Sequence, residues 1–310
     1  MLFDLFLLTA PLFLLVLLGY GLLRWAKWPR ELSDALTRFV FSVAIPALLF
    51  RMMAGVSKLP PPDWRLLIVY FGSCFVVFAL GRITGRVLFR MDGVSQSVFA
   101  LGAIFSNIVL LGIPLSRLTL GPAAIPSVSL IIVFNALILW TLVTLSVELA
   151  RSNTASLAGL GKTARDVLGN PIIFGIVTGT AFGFTGIELP AVIDRTLVLV
   201  ADAAAPLALI ALGMGLATYT LSAGWRESVA VSVLKIAVQP LVVYVLARLF
   251  GLSPLQTQVV VLLGACPTGA NVYLMARHFK TQEAAIASSM VLSTLLAALA
   301  VPLVLALTAP

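Results

Sequence analysis

The sequence predicts an all-α, polytopic membrane protein in which ten transmembrane helices form two inverted five-helix repeats. Three observations predict this fold class. The 310 residues are 61% apolar and 10% charged, with a mean hydropathy of +1.11, whereas a soluble domain is nearer half apolar and a quarter charged. The apolar residues lie in runs long enough to span a bilayer. Several prolines also recur about 160 positions apart.

This composition excludes an ordinary soluble enzyme, a disordered chain and a coiled coil. An outer-membrane barrel is disfavoured, because its strands alternate apolar and polar residues. The net charge of +8 is distributed in short clusters between apolar runs, which is typical of topology signals, and no nucleic-acid-binding module is visible. Cys74 and Cys266 lie inside apolar runs, so neither a disulfide framework nor a metal site is expected.

Ten segments are each long and apolar enough for a spanning helix of about 20 residues. The first is interpreted as a retained helix, because Asp4 stands where a cleaved signal carries positive charge. Arg38 and Arg51 flank the short apolar run of the second, and their long side chains can reach the membrane interface. The predicted spans are 5–24, 32–54, 65–88, 95–117, 122–148, 167–187, 191–217, 226–249, 255–279 and 283–307.

The distribution of basic residues predicts the orientation in the membrane. Loops after odd-numbered spans contain twelve Lys and Arg residues, and loops after even-numbered spans contain six. Because cytoplasmic loops are enriched in these residues, the polar central loop over 149–166 is predicted to be cytoplasmic and both termini extracytoplasmic. The protein is expected in the cell (inner) membrane as a multi-pass protein.

Residue spacings indicate that the two halves of the chain are repeats. Pro11 and Pro171 are 160 positions apart, and so are Pro46 and Pro206. Because each repeat holds five spans, the second crosses the membrane in the opposite sense. Inverted repeats are typical of secondary transporters, with the site at the repeat interface. The predicted organisation is 1–148 for the first repeat, 149–166 for the linker loop and 167–310 for the second repeat.

Glycine and proline interrupt the fourth span of each repeat, over 106–114 and 264–271. These residues free backbone groups, which are tolerated at membrane depth where a cavity covers them. Half-helix N-termini then favour an anion. The alternative is that the prolines merely kink their helices, and that Asn135 of the fifth span only bonds a neighbouring helix. The candidate substrate-binding residues are Ser106, Asn107, Gly112, Pro114, Asn135, Pro267, Thr268, Gly269 and Asn271.

Two ionisable residues lie within predicted spans, Asp202 in the seventh and Lys235 in the eighth. Charges at such depth are functional candidates by default. Asp202 can take up and release a proton, and Lys235 can neutralise an anionic substrate. Alternatively the two pair with each other, or one faces a wet cavity, and the sequence leaves these interpretations open.

Glycines recur every four residues on the sixth span, at Gly175, Gly179 and Gly183. A face of small residues lets two helices approach closely. The spacing favours packing within one chain over dimerisation, although a homodimer through helices 1, 2, 6 and 7 stays open.

Taken together, several motifs resemble the auxin efflux carrier (PIN-like) family. The form N-x-x-x-x-G-I-P-L that begins at Asn107 is similar to the fourth-helix motif of that family. The other matching motifs are Asn170-Pro171 in the sixth helix, Ala205-Pro206 with Leu212-Gly213-Met214 in the seventh, Lys235 with Gln239-Pro240 in the eighth, and Ala265-x-Pro267 with Asn271 in the ninth.

The resemblance implies the ten-helix fold shared with bile-acid:sodium symporter relatives, with helices 4 and 9 broken and crossing. Helices 1, 2, 6 and 7 would form a scaffold, and helices 3–5 and 8–10 a transport domain that moves as in an elevator. It also implies export or exchange of small organic anions. The central loop here is short, unlike the hydrophilic loop of the long auxin carriers, which favours a bacterial-type member and malonate-like acids.

The predicted function is therefore secondary active transport of small organic anions, driven by membrane potential or protons. An intramembrane enzyme, a second class, would need a nucleophile–base pair or a metal triad, and the sequence has one histidine and no HExxH, GxSxG or P-loop. A channel or receptor is a third class. A sodium-coupled symporter is the closest alternative, although neither broken helix offers a carboxylate. The expected partners are the anion and the bilayer, without nucleic acid or cofactor.

Overall fold

The computed structural model describes residues 2–55, 63–152, 171–218 and 224–309, and the regular structure in these ranges is helical apart from one isolated bridge. The helices are α1 (Leu2–Arg24), α2 (Arg30–Met53), α3 (Arg65–Val87), α4 (Gly93–Ile104), α5 (Ile108–Thr119), α6 (Ile125–Ser152), α7 (Pro171–Phe184), α8 (Ala191–Leu216), α9 (Trp225–Leu249), α10 (Pro254–Ala265), α11 (Ala270–Phe279) and α12 (Glu283–Thr308).

Among the described residues, 7 helices are long and apolar enough to cross a membrane: α1, α2, α3, α6, α8, α9 and α12. The fourth and ninth predicted spans are each divided into two shorter helices, α4 with α5 and α10 with α11. The sixth is described as α7, which has 14 residues. Most of the predicted 149–166 loop lies outside the described residues, and α6 extends to Ser152. The all-helical fold is confirmed, and the count of ten spans stays a prediction.

Large apolar side chains cover the outer surface of the helices. Leu14, Phe174 and Leu199 are 62%, 65% and 75% exposed on α1, α7 and α8. In water a continuous apolar surface of this kind would drive association. In a bilayer it contacts lipid tails, and the protein is accordingly embedded in the membrane.

Proline determines where three helices widen. Its missing N–H and its ring prevent the regular bond to the preceding turn, and a π-helical turn is one way to accommodate that defect. Each of the three π-helical turns in the described ranges ends two residues before a proline. The turns are Val40–Ala44 before Pro46, Ile108–Gly112 before Pro114 and Leu234–Val238 before Pro240.

Glycine allows two helix pairs to approach closely. A Cβ atom at Gly213 of α8 would lie 1.9 Å from the carbonyl oxygen of Val16 in α1, and one at Gly179 of α7 would lie 2.5 Å from that of Phe50 in α2. Only glycine fits at such contacts. The glycine face of the sixth predicted span therefore packs within the chain, as its spacing predicts. The pairs α1–α8 and α2–α7 join the helices that the family resemblance assigns to the scaffold.

A second group of helices surrounds the two interrupted ones. α3 packs against α4 and α9, and α9 packs in turn against α10 and α12. The interior of this group contains three of the largest fully buried side chains, Tyr70, Phe99 and Lys235. This grouping positions the breaks of α4–α5 and α10–α11 next to the α2–α7 pair.

Candidate functional site

The two interrupted helices meet at their breaks. Residues 105–107 separate α4 from α5, and residues 266–269 separate α10 from α11. The two stretches run antiparallel and cross at Ser106 and Thr268. Pro267 lacks an N–H and cannot continue the hydrogen-bond ladder of α10. The second break falls within the 264–271 stretch that the sequence predicts to be interrupted. The first lies at 105–107, before Gly112 and Pro114, which stand inside the continuous helix α5.

Backbone hydrogen bonds join the two breaks directly. The N–H of Asn107 donates to the carbonyl of Pro267 at 2.8 Å, and the N–H of Gly269 donates to the carbonyl of Phe105 at 2.8 Å. Each break thus satisfies polar groups that the other leaves free. This pairing is what permits non-helical backbone inside a membrane-embedded bundle.

Three hydrogen bonds that involve hydroxyl groups join the crossing to its neighbours. The N–H of Thr268 donates to Ser293 Oγ of α12 at 3.1 Å, and Thr268 Oγ1 donates to the carbonyl of Gly102 at 3.0 Å. The hydroxyl of Tyr70 in α3 donates to Ser106 Oγ at 3.2 Å. Sequence reasoning missed Tyr70 and Ser293. The run of serines in the tenth predicted span was the signal that could have indicated the second.

A cavity of about 190 Å³ lies against the crossing. The candidate residues that line it are Ser106, Asn107, Asn135, Gly269 and Asn271. Apolar side chains of α2, α6 and α7 complete much of its wall, and Phe41, Ile132, Ile172 and Ile173 are among them. The cavity is therefore bounded by the crossing on one side and by the α2–α7 pair on the other.

Two buried amide atoms at the cavity have no hydrogen-bond partner among the described residues, Asn107 Nδ2 and Asn135 Oδ1. The two residues are only 6% and 7% exposed. An unsatisfied buried polar group costs about 1–3 kcal/mol, so a ligand that bonds these atoms would offset that cost. Because an amide can rotate to exchange its oxygen and nitrogen, both residues can offer an N–H to an anion.

Helix N-termini also point their positive ends to this region. Asn107 immediately precedes α5, and Gly269 immediately precedes α11. The N-terminal N–H groups of a helix lack partners within the helix, and the macrodipole adds partial positive charge there. The cavity thus combines helix N-termini with amide side chains, which is a chemistry suited to a carboxylate.

Four candidate residues shape the crossing without lining the cavity: Gly112, Pro114, Pro267 and Thr268. A Cβ at Gly112 would lie 2.9 Å from Leu263 Cδ2 of α10, so glycine lets α5 approach that helix. Pro114 is buried next to the π-helical turn of α5. Gly112 therefore acts through the packing of α5 on α10.

The structure does not contain the Asp202–Lys235 pair. Asp202 of α8, with 60% of its side chain exposed, forms an ion pair with Arg117 of α5 at 3.4 Å. Lys235 of α9 is fully buried, and its Nζ donates to Gln239 Oε1 at 2.7 Å and to the carbonyl of Gly264 at 2.5 Å. Each charge has another partner because α8 and α9 present these residues to different neighbours. Neither residue lines the cavity, and their roles in coupling stay predictions.

Comparison with known proteins identifies relatives over nearly the whole chain. The family described as "Membrane transport protein" matches residues 5–305. The "Putative malonate transporter" of Rhizobium meliloti (strain 1021) is 30% identical over 294 residues, covering 93% of this chain and 91% of that protein. The uncharacterized transporter YfdV of Escherichia coli (strain K12) is 24% identical over 291 residues, covering 92% and 91%. Auxin efflux carrier component 8 of Arabidopsis thaliana is 21% identical over 347 residues, covering 93% of each chain.

Proposed function

The chain belongs to the auxin efflux carrier family of membrane transport proteins, and from that premise we propose that it is a secondary carrier of small organic anions. The family and its relatives are transporters and not enzymes. The observation that carries the proposal is the amide-lined cavity at the crossing of the two broken helices.

The chemistry of the cavity favours an anionic substrate. The N-termini of α5 and α11 and the amides of Asn107, Asn135 and Asn271 surround it, and no acidic side chain of the described residues lines it. Hydrogen bonds to a charged partner contribute about 1.5–3 kcal/mol each. Neutral N–H donors at helix termini bind a carboxylate without a fixed opposite charge, and the substrate can therefore leave again after translocation.

The size of the cavity favours a small substrate. Its volume of about 190 Å³ lies below the range of about 300–1,000 Å³ typical of pockets for drug-sized ligands. A three-carbon dicarboxylate fits this space better than a large amphipathic acid. The name of the Rhizobium relative, which is 30% identical, indicates malonate, and malonate is the substrate we propose to test first.

We propose alternating access by an elevator motion, and the position of the cavity between the crossing and the α2–α7 pair supports it. In a two-repeat arrangement the first span corresponds to the sixth and the second to the seventh. The pairs α1–α8 and α2–α7 are then the same contact formed twice, which supports an inverted repeat. If α3–α6 and α9–α12 move as one unit past these pairs, the crossing carries its anion with it.

The proposed transport is export or exchange, driven by membrane potential or protons, with both chain termini extracytoplasmic. An anion that moves alone carries charge and responds to the potential. A sodium-coupled symporter is the alternative within the same class. The residues at the crossing argue against it, because they offer amides and hydroxyls but no carboxylate.

Counterflow into proteoliposomes tests the proposed function. Vesicles preloaded with unlabelled malonate should take up external radiolabelled malonate faster than empty vesicles and with saturable kinetics. A panel of monocarboxylates and dicarboxylates of increasing length should show a decline once the acid exceeds the cavity. Flux that is linear in concentration, with no acceleration by internal malonate, would indicate a channel and contradict the proposal.

A further inference from the structure

Lys235 is a buried cation whose place in the fold the proposed function does not explain. It is fully buried within the π-helical turn Leu234–Val238 of α9, and Gln239, one turn later, is fully buried as well. Transferring an ammonium group out of water is costly unless charges or dipoles compensate it. The contacts of these two side chains show what compensates it here.

The two side chains bond the C-terminal ends of both half-helices. Lys235 Nζ donates to the carbonyl of Gly264, in the last turn of α10, at 2.5 Å. It also donates to Gln239 Oε1 at 2.7 Å. Gln239 Nε2 donates in turn to the carbonyl of Ile104, the last residue of α4, at 3.1 Å. Helix C-termini expose free carbonyls and carry partial negative charge, so the ammonium lies where a cation is favoured.

The partners of Lys235 are neutral oxygen atoms. The ion pairs found in the described part of the chain join Arg51 with Asp194, Arg65 with Asp63 and Arg117 with Asp202. None of them includes Lys235. Carbonyl oxygens at half-helix C-termini are the groups that bind a coupling sodium ion or proton in transporters with broken helices. The ammonium therefore bonds two oxygen atoms, Gln239 Oε1 and the carbonyl of Gly264, of the kind that such a cation site uses.

We propose that Lys235 Nζ is a tethered cation that permanently fills a monovalent cation site at the crossing, so that the protein requires no dissolved sodium there. The negative and the positive helix ends at the crossing then have different partners. The negative ends of α4 and α10 bond the Lys235–Gln239 network, while the positive ends of α5 and α11 remain for the anion. Lys235 does not line the cavity and acts as a positioning residue. Only the expected sodium independence of flux rests on the proposed function.

Chemical rescue of a truncated side chain tests this assignment. Purified Lys235→Ala should melt several degrees below wild type in choline chloride. Choline is too large for the space left by the side chain, so it cannot replace the lost ammonium. Methylammonium chloride should raise the melting temperature of this variant in a dose-dependent manner, because methylammonium restores the ammonium to the same oxygens. Sodium chloride should do the same if the oxygens accept a metal ion.

Two control variants separate a cation site from packing. Lys235→Met fills most of the volume without a charge and leaves no room for methylammonium, so its melting temperature should not respond. Lys280→Gly removes an exposed lysine at φ 55°, where glycine keeps the backbone conformation. Its melting temperature should be the same in methylammonium, sodium and choline chloride.

Equal melting temperatures of Lys235→Ala in methylammonium, sodium and choline would overturn the assignment. Recovery of folded Lys235→Ala only when methylammonium or sodium is present would support it. If the variant does not fold in any of the salts, the assignment is tested on the wild-type protein. Its melting temperature should be the same in sodium and choline, and stabilisation by sodium would show that the site still binds a free cation. These measurements use no substrate, so a failure of malonate transport leaves their outcome unaffected.

Wild-type flux provides the functional counterpart. Counterflow of malonate should be equal in sodium and choline media at fixed potential. A strict sodium requirement would overturn the tethered-cation assignment while leaving the carrier proposal intact, whereas absence of counterflow in both media would contradict the carrier proposal alone.

Discussion

Asn107 is buried at the crossing, and its amide nitrogen Nδ2 has no hydrogen-bond partner among the described residues. Asn107→Ala should lower the transport efficiency for malonate by roughly 10- to 100-fold, because one hydrogen bond to a charged group is worth about 1.5–3 kcal/mol. The melting temperature should stay the same or rise, since the substitution removes an unsatisfied group and keeps the backbone bond to Pro267. Initial counterflow rates and thermal melting of the purified variant measure the two effects.

Thr196 provides the matched control for that substitution. It is exposed on α8, and its hydroxyl bonds the carbonyl of Val192 in its own helix. Thr196→Ala should leave both transport and melting unchanged. An Asn107→Ala protein that transports malonate like wild type would remove this residue from the binding site.

The stability of the protein should depend on pH through Asp92, which lies at the start of α4. Its carboxylate accepts a hydrogen bond from the backbone N–H of Ser95 at 2.8 Å, which lowers the pKa of Asp92 below the ordinary 3.8. A lowered pKa contributes stability that is present above the ordinary value and is lost as the pH falls through the lowered one. Asp92→Ala should cost about 1 kcal/mol at neutral pH, as N-cap losses do.

Asp92→Asn keeps an acceptor for the same N–H and lacks the titration. Its melting temperature should approach that of wild type as the pH falls from about 6 to about 3. If the difference in melting temperature between wild type and the Asn variant grows as the pH falls over this range, the assigned cap is contradicted.

At the scale of elements, α8 contains two glycines with opposite surroundings. A Cβ at Gly213 would lie 1.9 Å from the carbonyl oxygen of Val16, whereas nothing lies within 4 Å of one at Gly215. Gly213→Ala should destabilise the protein by about 1–3 kcal/mol through overpacking of the α1–α8 contact. Gly215→Ala should be neutral or stabilising by up to about 1 kcal/mol, because alanine favours the helix. Thermal melting compares them, and equal effects would refute the close α1–α8 contact.

The ion pair between Arg117 of α5 and Asp202 of α8 joins the two units that the proposed elevator separates. Both side chains are substantially exposed, so Asp202→Asn should change stability by less than about 1 kcal/mol. Transport should change more, because the pair must break and form in each cycle. The reversed pair Arg117→Asp with Asp202→Arg should recover part of the flux that Asp202→Arg alone loses. Additive effects of the two reversals would show that the pair has no part in the cycle.

The elements also show which predictions the sequence permits. Proline and glycine act on the local backbone, so the break after α10 and the close packing of α7 could be predicted from them. The break after α4 contains neither residue type, and Gly112 and Pro114 lie at the π-helical turn of α5 instead. Asp202 was predicted with Lys235 as one alternative, and the structure pairs it with Arg117. The rotation of a helix about its axis depends on packing against all its neighbours, and a single apolar sequence does not encode it visibly. Tyr70 and Ser293 escaped prediction for the same reason.

At the scale of the whole molecule, hydropathy was sufficient to predict an all-helical protein in a bilayer, because every spanning backbone must satisfy its own hydrogen bonds. The cavity could be predicted only in part. The amides of Asn107, Asn135 and Asn271 stood out as polar residues in apolar spans. The apolar wall contributed by α2 and α7 could not be predicted, because Phe41 and Ile172 resemble any other lipid-facing or core residue in the sequence.

The central claim is that one small organic anion binds at the crossing of the two broken helices. Equilibrium binding of radiolabelled malonate to the purified protein, measured by scintillation proximity in sodium-free buffer, tests it most directly. We expect one saturable site per chain, weakened at least about tenfold in Asn107→Ala and in Asn271→Ala and unchanged in Thr196→Ala. Undiminished malonate binding in both folded asparagine variants would contradict the claim.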